Sequence, residues 1–257
     1  MAVTPHHSSL DLAERLGARA RVCDVVTSTV LSPSLCEVVL AGGAAGLGGQ
    51  PGNDVMLRVR DESGAFVRRR YSVRDVQRDL DQLTLWITTA HEGPGSRWAR
   101  TAVPGDPVDV IGPRGKILLN PDAAWHLFCG DVSGLGAFYR MADALDPGGL
   151  ATVVVEVPNA QDALSPPLAG GAGAQAIFVE RGQRQGDDPE GLLRALSAFV
   201  TPPGEGHAYL FGEFSVIRVL HVALVERGLS GDQISPKAYW RTGRPNAEHG
   251  EPDKSER

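Results

Sequence analysis

A chain of 257 residues with 42% hydrophobic and 22% charged residues can bury a sizeable core in one large or two small domains. That composition excludes wholesale disorder, a collagen repeat and a coiled coil. The formal charge of -6 argues against a general nucleic-acid binder, which concentrates Lys and Arg to neutralise phosphates. With 31 Gly and 18 Pro the chain is rich in tight turns, which favours a β-rich or mixed architecture over a helical bundle.

One stretch departs from the acidic average: seven arginines between Arg58 and Arg78 stand against Asp61, Glu62 and Asp75. Cys23, Cys36 and Cys129 are odd in number, far apart and without a CxxC, so no disulfide framework, zinc site or iron–sulfur cluster is expected. A reduced, cytoplasmic setting follows. The N-terminal residues lack the basic start and apolar core of a signal peptide, and no run approaches the ~18 apolar residues of a membrane span.

In chain order, residues 1–18 read as a polar tail in which Leu10, Leu12, Ala13 and Leu16 can share one helical face. Residues 19–120 hold six short β-like runs, separated by turn clusters such as GGAAGLGGQPGN, DESG and VPGD and interrupted by one helical stretch, SRWARTAV. This pattern predicts a small six-stranded antiparallel barrel. From 121 to 245 the apolar runs WHLFCG, ATVVVEV, AQAIFVE and HAYLFGE alternate with helical segments, the signature of a parallel sheet in an α/β domain. The boundary falls near residue 120, and 246–257 read as a second tail.

The densest motif is Arg68-Arg69-Arg70-Tyr71-Ser72-Val73-Arg74. Guanidinium groups match phosphate oxygens, a tyrosine ring can lie on a planar heterocycle, and a hydroxyl can bond to a ring nitrogen, so this strand can grip a flavin nucleotide. A solvated strand edge placed against aggregation explains three arginines equally well. The run from Thr88 and Thr89 through His91, Gly93, Pro94, Gly95 and Ser96 leads into a helix start, where exposed N–H groups can receive a pyrophosphate. An ordinary Gly-Pro turn capped by Ser96 is its plain alternative. His91 has no partner at ligand spacing, so it is not read as a metal ligand.

Further on, Gly130-Asp131-Val132-Ser133-Gly134-Leu135-Gly136 runs from strand to helix, as does Gly212-Glu213-Phe214-Ser215. Ligands of open α/β sheets bind beyond such strand ends, although the spacing is not GxGxxG. Near the end, Tyr239 and Trp240 stand among Lys237, Arg241 and Arg244, able to cover a flavin and attract an anion or simply to anchor the C-terminus.

Taken as one colinear set, RxYS, GPxSxW, GPRG, the GD and GE turns and YWxxGR resemble the siderophore-interacting protein family, a branch of the ferredoxin-reductase-like flavoproteins, over roughly residues 19–245. The resemblance implies an FAD-binding barrel, an NAD(P)H-binding-like α/β domain, and reduction of a ferric siderophore to release Fe(II). It implies that Arg69, with Arg70 beside it, meets the FAD pyrophosphate, that Tyr71 stacks on the isoalloxazine and that Ser72 lies near N5. Thr88, Thr89, His91 and Gly93, Pro94, Gly95 and Ser96 would hold the rest of the cofactor. Asp131, Ser133 and Glu213 would lie beside the nicotinamide of NADH or NADPH, and Tyr239 and Trp240 would close over the flavin. Lys116, Lys237, Arg241 and Arg244 would meet an anionic siderophore. A ferredoxin is an alternative electron donor. SGLGA departs from the family's ETALPA-like turn and leaves nicotinamide use open. A flavoenzyme acting on a small organic substrate and a non-catalytic siderophore-binding module are the two other readings. No side chain need act as acid, base or nucleophile at the iron step, and neither nucleic acid nor a membrane is an expected partner.

Overall fold

The computed structural model describes residues 4–163 and 174–243. Its contacts divide the chain into two units, one holding residues 1–119 and 135–144 and the other residues 120–134 and 145–257.

In the first unit, β1 (Arg19–Ser32), β2 (Leu35–Ala41), β3 (Asp54–Arg60), β4 (Phe66–Gln77), β5 (Gln82–Thr88) and β6 (Pro107–Arg114) close into a barrel in the order β1-β2-β5-β4-β3-β6, every pair antiparallel. This is the six-stranded barrel expected from the alternating runs. Antiparallel partners share a face, and the buried set Val55, Leu57, Val59, Val73, Leu83, Leu85 and Ile87 fills the interior. The helix α2 (Pro94–Thr101) adds Ala99 to that core, with Trp98 packed beside it.

The segment read as a polar tail with one helical face carries α1 (His7–Arg15), which buries Ser9 and Ala13. Its hold on the barrel is polar: Ser9 donates to Asp109 Oδ2 at 2.8 Å, the His6 N–H donates to the same oxygen at 3.1 Å, and Arg68 donates to the Ser8 carbonyl at 2.9 Å. Apolar periodicity has no view of such anchors. Also in this unit is α3 (Leu135–Asp143), whose inner face packs on β4 and β5.

The second unit is a five-stranded parallel sheet in the order β11-β10-β7-β8-β9, formed by β7 (Trp125–Asp131), β8 (Leu150–Val157), β9 (Ala174–Glu180), β10 (Gly206–Glu213) and β11 (Ile234–Trp240). The strand β11 was not among the expected runs. Pro236 interrupts its pattern, and proline is confined to sheet edges, where β11 lies. The helices α4 (Glu190–Ala198) and α5 (Phe214–Glu226) cover one face through Leu192, Leu196, Val216, Leu220 and Leu224, packed against Leu127, Cys129, Val154 and Leu210. Central β7 is buried at every residue, which suits its largely apolar sequence.

Close backbone approach sets β7 against β10. A Cβ on Gly130 would lie 1.8 Å from the Phe211 carbonyl oxygen. Gly130→Ala is therefore expected to cost at least about 2 kcal/mol in urea unfolding. Gly231→Ala, where a Cβ meets open space, should change stability by less than about 0.5 kcal/mol.

Candidate functional site

Strand alternation divides the arginine motif. Arg69 pairs in register with Leu57 and Tyr71 with Val55, so both share the face of the barrel core, whereas Arg70 pairs with Met56 and Ser72 with Asp54 on the other face. Tyr71 packs against the core, and its hydroxyl end fills the space a Cβ would need at Gly95, 1.6 Å from that hypothetical atom; the Arg69 side chain lies 3.7 Å from the same point. Arg69, Tyr71 and the first turn of α2 thus come together. Burial pushes the Tyr71 phenol well above its ordinary range despite the nearby Arg69 charge, so the ring is neutral at any physiological pH.

That first turn suits an anionic group. Gly93 precedes it with no side-chain cap, Pro94 sits at its start, and the buried Arg97 Nε has no hydrogen-bond partner. Arg97 was absent from the expected set; its position in the first turn of SRWARTAV is the signal that would have suggested it. Ser96 is not the cap. Its hydroxyl donates to the Thr88 carbonyl at 3.1 Å. Thr88 and Thr89 serve as scaffolding, with hydroxyls bonded to the Ser34 and Pro33 carbonyls at 3.3 Å, and the Thr89 carbonyl accepts from Arg100 at 2.6 Å. His91 and Gly93 lie in the preceding loop, His91 half-buried.

Arg70 does not share the face of Arg69, because neighbouring strand residues point to opposite faces. Instead its guanidinium meets Asp54 Oδ2 at 2.6 Å, and that carboxylate is 2% exposed. Burial and the nearby Arg70 charge lower the pKa of Arg114, partly offset by Asp54, so two arginines surround one acid. Ser72 is buried opposite Asp54.

In the parallel sheet, Asp131 ends β7 and is buried. Its Oδ1 accepts from the Ser133 N–H at 2.8 Å and from the Ser133 hydroxyl, while Oδ2 accepts from the Glu213 N–H at 2.9 Å and the Trp240 indole at 2.8 Å. Glu213 caps α5: Oε2 accepts from the Ser215 and Val216 N–H groups at 2.5 and 3.0 Å, and Oε1 from the Thr242 N–H at 3.1 Å. Burial alone would raise this carboxyl, but the bonds from Ser215, Thr242 and Val216 outweigh it and hold the pKa below the usual range. Tyr239 stacks on Phe211, centroids 5.2 Å apart, with the Lys237 ammonium 5.1 Å from the Tyr239 ring.

Lys116 is exposed in the first unit, Lys237 and Arg241 belong to the second, with Arg241 4.6 Å over Phe214, and Arg244 lies outside the described residues. Another acid escaped sequence reading. Glu156, the one charge in ATVVVEV, is 3% exposed and meets Arg181 at 2.8 Å and Arg184 at 2.9 Å. Among the described residues no three His, Cys, Asp or Glu could hold a metal ion, and no helix is long and apolar enough to cross a membrane.

Comparison with known proteins agrees with this arrangement. Residues 123–243 match the profile of the siderophore-interacting protein, and residues 50–117 that of the siderophore-interacting FAD-binding domain. A solved siderophore utilization protein from T. fusca is 29% identical, with a TM-score of 0.81 over 90% of this chain and 96% of that one. Ferric vibriobactin reductase ViuB of Vibrio cholerae is 27% identical over 69% of this chain and 66% of its own length. The NADPH-dependent ferric-chelate reductase of Escherichia coli is 26% identical over 58% of this chain and 56% of its own. The chain thus spans at most two-thirds of these two curated relatives.

Two measurements check the electrostatics. Asp54→Asn removes the buried carboxylate charge that pairs with Arg70 and should cost about 3 kcal/mol in chemical unfolding. A carboxylate held below its usual range stabilises the fold above that range, and this stability disappears as pH falls through the depressed value. Wild-type stability should therefore drop more steeply than that of Glu213→Gln between about pH 5 and pH 3 in unfolding titrations. By the colinear match of both profiles and the barrel-plus-parallel-sheet fold, this chain belongs to the siderophore-interacting protein family and carries its FAD-binding domain.

Proposed function

We propose that this chain is an FAD-dependent reductase that passes electrons from NADH or NADPH to a ferric siderophore and releases iron as Fe(II). In this reading residues 19–120 serve as the FAD domain and 121–245 as the NAD(P)H domain. The observation that carries it is the meeting of Arg69, Tyr71 and the uncapped first turn of α2 at Gly95. The free N–H groups of that turn, the guanidinium of Arg69 and the unpartnered Nε of Arg97 suit a pyrophosphate, and the neutral Tyr71 ring suits a flat heterocycle. These residues fit the cofactor. When bound, FAD supplies the redox chemistry, since one hydride from the nucleotide carries two electrons, enough for two Fe(III) centres.

The protein's part is binding, orientation and charge. Gly95 keeps the Tyr71 hydroxyl end seated, and Asp54 holds Arg70 on the outer face of β4, which sets the strand that carries Arg69 and Tyr71. His91 and Gly93 lie in the loop that leads into α2, where they can line the rest of the nucleotide. Exposed Lys116 on the first unit is a cation that can attract an anionic ferric siderophore in an otherwise acidic protein.

Arg69→Ala and Tyr71→Ala should each weaken FAD retention by about 1.5–3 kcal/mol, roughly 10- to 150-fold, read as flavin lost on dilution. Retention at the wild-type level in both variants would refute the assignment. The function itself is tested anaerobically: add NADPH or NADH to the yellow holoprotein, then a ferric siderophore with a ferrous chelator. Bleaching, then recovery with ferrous-chelate colour, is the expected result. A flavin that neither nucleotide bleaches but reduced ferredoxin does would move the donor, and a bleached flavin that reduces no ferric chelate would point to an organic substrate. A colourless protein that binds ferric siderophores would point to a binding module.

A further inference from the structure

A surface helix of a globular fold is typically apolar on one side, the side that faces the core. The helix α5 is apolar on both. Its inner face buries Val216, Ile217, Leu220 and Leu224 against the sheet, yet Val219, Val222 and Val225 on the outer face are 40%, 54% and 44% exposed. A β-branched side chain on a solvated helix face loses rotamer freedom without burying area in return. Three of them within seven residues form a contiguous stripe, and such a stripe marks a surface that meets a partner.

The charges that border the stripe identify that partner. Arg218 and Glu226 are both exposed, and among the described residues neither forms an ion pair. They lie eight residues apart, about 12 Å along the helix axis, so they cannot pair with each other within α5. Around Val222 the order is symmetric in position and opposite in charge, with Arg218 and Val219 before it and Val225 and Glu226 at the same spacings after it. At 3.6 residues per turn all five fall within an arc of about 120°. A two-fold axis beside Val222 that packs two copies of α5 antiparallel sets each residue before Val222 level with its mirror position in the other copy. Val222 then meets its own counterpart, Val219 of each copy is level with Val225 of the other, and Arg218 faces Glu226 at both ends, a self-complementary contact. Parallel packing would instead set Arg218 level with Arg218 and Glu226 with Glu226, which repel.

We propose that the outer face of α5 is a self-association surface: two copies of this chain pack α5 against α5, antiparallel about Val222, with an Arg218–Glu226 ion pair at each end of a valine seam. The seam uses five side chains per copy, far fewer than the roughly 20–30 residues per side of a standard-size interface, so the dimer dissociates on dilution. The antiparallel arrangement carries the two Glu213 turns about 13 Å to either side of the axis, outside the seam, and the pairing does not depend on the reductase reading.

Sedimentation velocity of the FAD-loaded full chain between roughly 1 μM and 1 mM tests this, with circular dichroism and flavin absorbance as controls for folding. Wild type should shift with concentration from the mass of one chain to that of two. Arg218→Glu and Glu226→Arg each set like charges level across the axis and should weaken association roughly tenfold or more, while the variant carrying both changes should restore it. Restoration has no source within one helix, because the two positions are too far apart to pair there. In a second measurement Val222→Cys should give a disulfide-linked dimer under mild oxidation, since residue 222 meets itself on the axis and Cys23, Cys36 and Cys129 are buried. A wild type that stays a single chain at roughly 1 mM overturns the proposal and leaves the stripe to residues 244–257 or to another protein. A dimer that is indifferent to both charge reversals, or that Val222→Cys does not link, is held by another face and overturns it as well.

Discussion

The carboxylate of Asp131 ties the carboxyl ends of three parallel strands to one point. It receives the backbone of Glu213 on β10 and the indole of Trp240 on β11, while its own turn closes onto it through Ser133. The arrangement is possible because Gly130 and Gly212 carry no Cβ: at Gly130 the Phe211 carbonyl comes too near, and at Gly212 a Cβ would lie 2.5 Å from Asp131 Oδ2. Without this carboxylate, the Glu213 N–H and the Trp240 indole N–H would lose their acceptor in a poorly solvated place, which costs more than the bonds are worth on the surface.

In the barrel, the constraint is the two-residue period of a strand. Four of the seven arginines in the basic stretch lie in β4, but alternation and ion pairing give them separate tasks. Arg69 faces α2, Arg70 is bound to Asp54, Arg68 holds α1 through Ser8, and Arg74 meets Asp143 of α3 at 2.9 Å while its guanidinium lies over the rings of Trp86 and Tyr139. A positive run in the sequence is therefore mostly internal wiring. Of these four, Arg69 is the one beside Gly95 in the first turn of α2.

The departure of SGLGA from the family's turn has a packing cause. A Cβ on Gly136 would stand 3.2 Å from Trp86 Cβ and 3.7 Å from that of Arg74, so the start of α3 sits close on β4 and β5. Arg140 on the same helix donates to the Gly48 and Gly49 carbonyls at 2.9 and 2.8 Å, and burial lowers its pKa to about 10, still far above neutrality. Gly136 of this turn answers to the helix's seat on the barrel, so its presence does not by itself argue for or against a nicotinamide nucleotide.

Turn spacing and hydrophobic period were enough, by themselves, to determine the barrel and the parallel sheet, since these depend on local patterns repeated along the chain, while the family was legible as a resemblance carried by the colinear motifs. The motif RxYS followed by GPxS likewise located the candidate flavin site, because its parts lie within about thirty residues. Tertiary structure alone decided which residues of those motifs face the site. The split of Arg69 from Arg70, the structural use of Thr88 and Thr89, the packing of α1 and the edge strand β11 all depend on strand face and long-range polar partners. Glu156 with Arg181 and Arg184, and Trp240 with Asp131, join residues 25 to 109 positions apart. No local pattern carries such pairings, because a hydrogen bond is set by where the fold brings its two ends.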